Sequence, residues 1–376
     1  MGCVECKLCK QEDEKNQFEY PTEDKKKIEN TLEKSLSNNK NNIDNKNLFY
    51  KEFDEKIKLI GNYLSEKEFE MMIPEEAKKF INNESSLSNL QKRTSYQVKP
   101  VEFENGNIYH GQWNDNFEME GYGKYFLKNE KVLAEGVWEK GELKKARIFY
   151  PNGELYEGEM TNSNYNGKGK LISQNYEYDG EFVDGEKTGE GTIKYKDGTE
   201  YTGRFSQNNF NGYGNMKWNN DLEYKGYFKD NCLEGNGTLF NKRGEKYEGN
   251  FEKNAFHGKG KYIYSNGDEY EGDFEYGIRK GRGIYKKNNG FIYEGLWDNN
   301  VPNGYGKITI NDKKIKCNFH NGKIIDENMY EEQNDINYNF YNEPMNLLTQ
   351  KLAHLENIDV LSSQFGAGTM LSFLDE

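Results

Sequence analysis

Tyr247-Glu248-Gly249-Asn250-Phe251, followed by His257-Gly258-Lys259-Gly260, is the stretch that decides the fold. Its apolar residues are spaced by two, the strand period, not by 3.6. A glycine every few residues would cost a helix interior about 1 kcal/mol apiece. The pattern returns at Tyr109, Tyr156, Tyr178, Tyr201, Tyr224, Tyr270 and Tyr293, and from Tyr156 onward the tyrosines are 22 or 23 residues apart. Two residues after each tyrosine stands a glycine: Gly111, Gly158, Gly180, Gly203, Gly226, Gly249, Gly272 and Gly295. Two further on comes a large apolar side chain: Trp113, Met160, Phe182, Phe205, Phe228, Phe251, Phe274 and Trp297. A Gly-x-Gly closes each copy, from Gly121/Gly123 to Gly304/Gly306.

A fixed period of this kind marks a repeat architecture. Each copy reads as two short antiparallel strands, with Tyr201, Gly203 and Phe205 on one face. The dipeptides Asn105-Gly106, Asn152-Gly153, Asp197-Gly198, Asn266-Gly267 and Asn289-Gly290 supply turns of positive φ between copies. The glycines are expected to leave room for a neighbouring copy's aromatic ring to lie across the backbone. Isolated hairpins are marginal in water, whereas stacked ones share an aromatic ridge.

The residues from Tyr247 to Gly260 resemble the membrane occupation and recognition nexus (MORN) repeat, and eight copies carry the full pattern. The expected fold is mainly β: an elongated antiparallel β-meander solenoid of such hairpins, with short flanking α-helices at both ends. The resemblance implies a scaffold, since similar repeats occur in radial-spoke heads, junctional membrane proteins and cortical complexes of parasites.

Composition agrees with a thin, aromatic-stacked chain. Apolar residues make up 34% and aromatics 14%, and there are 39 glycines. The net charge of −13 argues against nucleic acid, which needs a basic face, and against the array lying on anionic lipid. No apolar run reaches the 18 or so residues that span a bilayer, and no secretory signal follows Met1. An intracellular protein is expected.

The first residues, Met1-Gly2-Cys3-Val4-Glu5-Cys6-Lys7-Leu8-Cys9, resemble dually acylated proteins: Gly2 as myristoyl acceptor, Cys3, Cys6 and Cys9 as palmitoyl acceptors. One acyl chain holds a membrane only marginally, and Lys25, Lys26 and Lys27 sit among acidic residues, so the cysteines would supply the second signal. An inert tail and a metal site are the alternatives, the latter short of the four ligands a structural zinc needs.

The domain reading is an acylation tip and linker at 1–46, a short helical segment at 47–81, a linker at 82–99, the repeat array at 100–323, and an acidic linker with a C-terminal helix at 324–376. In the helical segment Phe49, Phe53, Ile57, Ile60 and Leu64 recur at helical spacing. Ser65 to Glu68 form a capping box, and Pro74 opens a further turn carrying Ala77, Phe80 and Ile81. This segment is expected to cover the exposed first strand. One copy is broken: Ala134 replaces the tyrosine ahead of Gly136 and Trp138, and Lys145-Ala146-Arg147 replaces Gly-x-Gly. With Lys140 and Lys144 this is either a drifted copy or a docking point, for which Lys144, Lys145 and Arg147 are the candidates. The last copy, Ile315 to Phe319, lacks both tyrosine and glycine, as a terminal cap would. Beyond Pro344, Leu347, Leu348, Leu352, Leu355, Ile358 and Leu361 form a helical stripe, read first as a cap that folds back and second as a partner-binding or dimerising helix. Leu352, Leu355 and Ile358 are its candidate contacts.

No catalytic constellation is present in the sequence. The Gly-x-Gly pairs lack the third glycine and the strand-to-helix setting of a phosphate loop, and His110, His257, His320 and His354 are dispersed. The chain is therefore read as a non-enzyme without cofactor or metal. The expected function is a membrane-tethered scaffold joining the cytoplasmic face of a plasma or ciliary membrane to cytoskeletal, ciliary or cortical proteins, with a homodimer possible. The alternatives are an axonemal or cytoskeletal component that needs no lipid, and a phosphoinositide-binding regulator of a lipid kinase.

Overall fold

The computed structural model describes residues 45–75, 77–78 and 96–325. Gly2, Cys3, Cys6, Cys9, Phe80, Ile81, Leu352, Leu355 and Ile358, and with them the expected C-terminal helix, lie outside the described residues. The chain opens with α1 (Asn45–Ile60), β1 (Gly61–Tyr63) and α2 (Glu66–Met72). The strands β2 (Tyr96–Gln97), β3 (Val101–Phe103), β4 (Ile108–Trp113), β5 (Met119–Leu127), β6 (Val132–Glu139), β7 (Glu142–Phe149), β8 (Leu155–Thr161), β9 (Asn164–Ile172), β10 (Tyr176–Val183) and β11 (Glu186–Tyr195) follow. Then come β12 (Glu200–Ser206), β13 (Asn209–Lys217), β14 (Glu223–Lys229), β15 (Cys232–Phe240), β16 (Lys246–Glu252) and β17 (Ala255–Ile263). The last are β18 (Glu269–Glu275), β19 (Ile278–Lys286), β20 (Ile292–Asp298), β21 (Val301–Ile310), β22 (Lys313–His320) and β23 (Lys323–Ile324). All 23 belong to one antiparallel sheet, the mainly β meander that the period of two implies. Two compact units divide the chain, one ending at Gly191 and one beginning at Thr192.

In both units the tyrosine, glycine and aromatic positions share one face. Along β12, Tyr201 and Phe205 are buried while Thr202 and Arg204 are exposed. The glycine gap is filled differently from the sequence expectation. Each tyrosine ring covers the glycines of its own hairpin, not those of a neighbour: a Cβ placed at Gly260 would lie 2.4 Å from the Tyr247 hydroxyl oxygen. The ring folds back because its hydroxyl has a partner there. Tyr247 donates to the carbonyl of Asn250 (2.8 Å), and all eight leading tyrosines reach the carbonyl three residues on, from Tyr109 to Gln112 (3.0 Å) through Tyr293 to Leu296 (2.9 Å). Neighbouring copies meet edge to face instead, as with Tyr224 and Phe251 at 5.0 Å.

The hairpins slip register just after their paired glycines. In β16–β17, Gly249 faces Gly260 but Asn250 faces His257. The slip needs a residue of positive φ, supplied by the first glycine of Gly-x-Gly, Gly258 (φ 61°) here and Gly212 (φ 90°) in β13. Two-residue turns with both φ positive close the hairpins, at Gln207-Asn208, Asp230-Asn231 and Lys253-Asn254. The Asn-Gly and Asp-Gly dipeptides form the other connection, with positive φ at the glycine alone. There the preceding side chain accepts from the backbone two residues on, as Asp197 Oδ1 does from Thr199 N (2.8 Å).

The broken copy is one residue shorter. Trp138 and Ala146 are eight apart where Phe228 and Gly237 are nine apart, so β6–β7 slips by one residue at Val137/Trp138. This corrects the alignment of Gly-x-Gly from Lys145-Ala146-Arg147 to Lys144 and Ala146. With Ala134 in place of the ring, Leu143 moves toward Gly136, and a methyl group is admitted at Ala146.

In the unit ending at Gly191 the chain's start holds both faces of the first strands. Phe49 of α1 stacks on Tyr96 (3.7 Å) and Phe117 (5.1 Å), and Phe53 meets Trp113 edge-on (4.9 Å), on the tyrosine face. On the opposite face, Phe69 of α2, with Ile73 and Ala77, packs on Ile108, Phe126, Leu133 and Phe149. Between the helices β1 pairs with β3. The helix therefore stops at Ile60, short of the expected Leu64. Gly61 lets the chain approach the Glu102 carbonyl where a Cβ would sit 2.0 Å away. The capping box is present: the Ser65 hydroxyl accepts from Glu68 N (3.2 Å), and Glu68 accepts from Ser65 N (2.8 Å).

Candidate interaction surface

The face away from the tyrosines carries the exposed residues. Along it charges alternate in sign from strand to strand, and antiparallel pairing sets them opposite each other. Lys259 meets Asp273 at 2.7 Å and Lys307 meets Glu294 at 2.7 Å directly across, and Lys261 reaches Glu269 diagonally at 2.9 Å. Such exposed pairs are each worth at most about 1 kcal/mol. Their effect is to leave most of this face self-neutralised.

The ladder is interrupted on β13 and β14. Tyr213, between the two glycines of its copy, stands directly opposite Tyr227. The rings meet edge to face at 5.5 Å while remaining 56% and 52% exposed. Asn215 and Lys225 face each other in the next register position on this face, and the Asn215 side-chain oxygen is enclosed without a hydrogen-bond partner. Half-exposed aromatic side chains are enriched at protein contact surfaces.

The polar clusters elsewhere are structural. His257 lies 3.3 Å from Glu252, which also accepts from the Tyr276 hydroxyl (2.9 Å). His110 packs edge-on against Phe69 (5.5 Å), and burial pushes its imidazole below the ordinary value. Among the described residues no three His, Cys, Asp or Glu side chains gather as a metal site. One buried charge network was not anticipated. Arg279 occupies the position of Phe210 and Phe256, opposite the copy's aromatic Phe274. Its guanidinium lies over Trp297 (4.7 Å) and donates to the Asn300 carbonyl (2.8 Å) and Tyr264 hydroxyl (3.2 Å). Nearby Asp268 accepts from the Tyr285 hydroxyl (2.6 Å). The visible signal was a cation at an aromatic repeat position.

Of the residues singled out from the sequence, Tyr109, Trp113, Tyr156, Met160, Tyr178, Phe182, Tyr201, Phe205, Tyr224, Phe228, Tyr247, Phe251, Tyr270, Phe274, Tyr293 and Trp297 are all buried. The basic residues of the broken copy carry acidic partners. Arg147 is almost enclosed, 3.0 Å from buried Glu135 and 3.7 Å from Glu157, and Lys144 pairs with Glu142 (2.6 Å). Lys145 is set opposite Glu159.

The MORN repeat model matches residues 156–177, 178–200, 201–222, 247–269, 270–291 and 293–313. These six segments are MORN repeats. The segment between the third and fourth of them has the same geometry, with Tyr224 over Gly226 and Gly237. No curated protein matches the chain. Two solved structures are similar to parts of it. One is the TCP domain of SAS-4 (dCPAP) in complex with a proline-rich motif of Ana2 (dSTIL) of Drosophila melanogaster, at 14% identity and TM-score 0.25, covering 46% of this chain and 82% of that one. The other is a mutant of the TCP10 domain of Danio rerio CPAP, at 12% identity and TM-score 0.22, covering 52% and 86%. No helix among the described residues is long and apolar enough to cross a membrane.

Proposed function

We propose that the chain is a non-catalytic scaffold, held at the cytoplasmic face of a membrane by acyl groups on Gly2 and the cysteines beside it, that binds cytoskeletal or ciliary proteins through its MORN repeats. The observation that supports binding through the repeats is the exposed Tyr213/Tyr227 pair, which interrupts the ladder of paired charges on its face. The motif around Gly2 and the family's resemblance to cytoskeletal and junctional scaffolds support the rest. Full-length protein is to be tested by proximity labelling with Gly2→Ala and with Tyr213→Ala/Tyr227→Ala. Gly2→Ala is expected to lose membrane neighbours and keep protein ones, and the tyrosine double variant the reverse. Unchanged membrane labelling with Gly2→Ala would favour a cytoskeletal component that needs no lipid. Unchanged protein labelling with the double variant would remove the assigned surface.

A further inference from the structure

The face opposite the tyrosines has a second apolar patch at the end of the described chain. Tyr305 of β21 is 67% exposed, and Leu296 of β20 is 38% exposed and lies against Gly304 beside it. Asn318 of β22 faces Tyr305, and the amide of Ile325 donates to the Asn318 carbonyl (3.0 Å). Ile325, 58% exposed, therefore continues the row. Next to this row the charge ladder fails: Lys314 and Lys316, which share the face of Asn318, are exposed on β22, without the opposing carboxylates found along the ladder. The chain then continues from within the patch. Between Asp326 and Glu343 it carries Asp326, Glu327, Glu331, Glu332, Asp335 and Glu343 and no Lys or Arg. After Pro344 comes the apolar stripe from Leu347 to Leu361.

We propose that the patch formed by Leu296, Tyr305 and Ile325 is the docking site of the chain's own apolar stripe at 347–361, guided there by the acidic stretch lying along the lysines of β22. Three features select this occupant. The charges are complementary and adjacent. A random coil of that many residues spans roughly 20–25 Å, enough to pass over strands spaced about 4.8 Å apart, so closure costs little beyond loop entropy. The same chain covers the corresponding face at its start, where Phe69 of α2 packs on Ile108, Phe126, Leu133 and Phe149.

Hydrogen exchange on the full chain tests this, with wild type compared with Tyr305→Asp/Ile325→Asp on the sheet and Leu352→Asp/Leu355→Asp on the stripe. The sheet variants change exposed side chains only, so the fold should survive, and circular dichroism checks it. Amides of 347–361 are expected to exchange at least about tenfold faster in either variant than in wild type. Lys314→Glu/Lys316→Glu should give a smaller acceleration, and added salt should mimic it in wild type. Equal exchange in all proteins would overturn the proposal. So would protection lost only in the stripe variant, since the stripe would then dock elsewhere. Protection that disappears on dilution, together with a dimer in sedimentation, would give the site to a second copy and overturn it equally.

Discussion

A single tyrosine hydroxyl explains why this chain keeps three residue types in register. Held by the carbonyl three positions on, the ring lies over two glycines, and neither can gain a methyl group while it stays. The dependence is testable in one repeat. Tyr247→Phe loses one hydrogen bond and should cost about 1 kcal/mol, while Tyr247→Ala opens a cavity costing about 3–5 kcal/mol. Gly260→Ala alone should cost about 1–3 kcal/mol by overpacking. In the Tyr247→Ala background that second cost should largely vanish, a coupling that a double-mutant cycle in urea measures. Ala134 with Ala146 is the natural version of the double variant. Burial also holds the phenols of Tyr156, Tyr178, Tyr224, Tyr247, Tyr270 and Tyr293 well above the ordinary tyrosine value. Because the folded state favours the neutral phenol, its contribution is intact below about pH 10 and is lost as pH rises further. In an alkaline titration, tyrosinate absorbance and loss of strand dichroism should therefore rise together. Tyrosinate formation beyond the share of exposed rings such as Tyr213, Tyr227 and Tyr305, with the strand signal unchanged, would contradict the burial.

Among the hairpins, the strand assignment was legible because a period of two with interleaved glycine has no helical reading. The packing partner was not, since spacing fixes the face of a side chain but not its rotamer. That is why the ring over Gly249 was assigned to a neighbour when it belongs to Tyr247. The turns between copies were legible, with a positive φ at the glycine after Asp197 and Asn266, whereas the doubly positive turns that close the hairpins fall on plain sequences such as Lys253-Asn254. In the broken hairpin the basic residues read as a surface feature, yet Glu135 and Glu157, on the adjacent strands, enclose Arg147. Arg147→Met should leave Glu135 buried without its cation and cost about 3–5 kcal/mol. Replacing both residues with apolar ones should restore most of that, as chemical denaturation would show. The same result from both variants would mean the pair is solvated.

For the molecule as a whole, a net charge of −13 had suggested a uniformly acidic surface. Instead charges on the sheet pair strand against strand, and two of the places where the ladder lapses, at Tyr213/Tyr227 and at β22, are the places assigned to contacts. That distribution was hidden in the sequence because residues that neutralise each other, such as Lys261 and Glu269, come together only through register. The repeat glycines and tyrosines named its architecture; the exposed positions between them, which no repeat pattern constrains, had to be seen in place. The tyrosine hydroxyls carry one more consequence. Since each is satisfied within its own hairpin, a copy meets its neighbours through the strand ladder, asparagine-to-backbone bonds such as Asn231 with Phe210, and aromatic edges, which recur from junction to junction. Duplication or loss of a whole 22- or 23-residue cassette then leaves the junction chemistry unchanged, so evolution is free to set the reach of such a protein by counting copies.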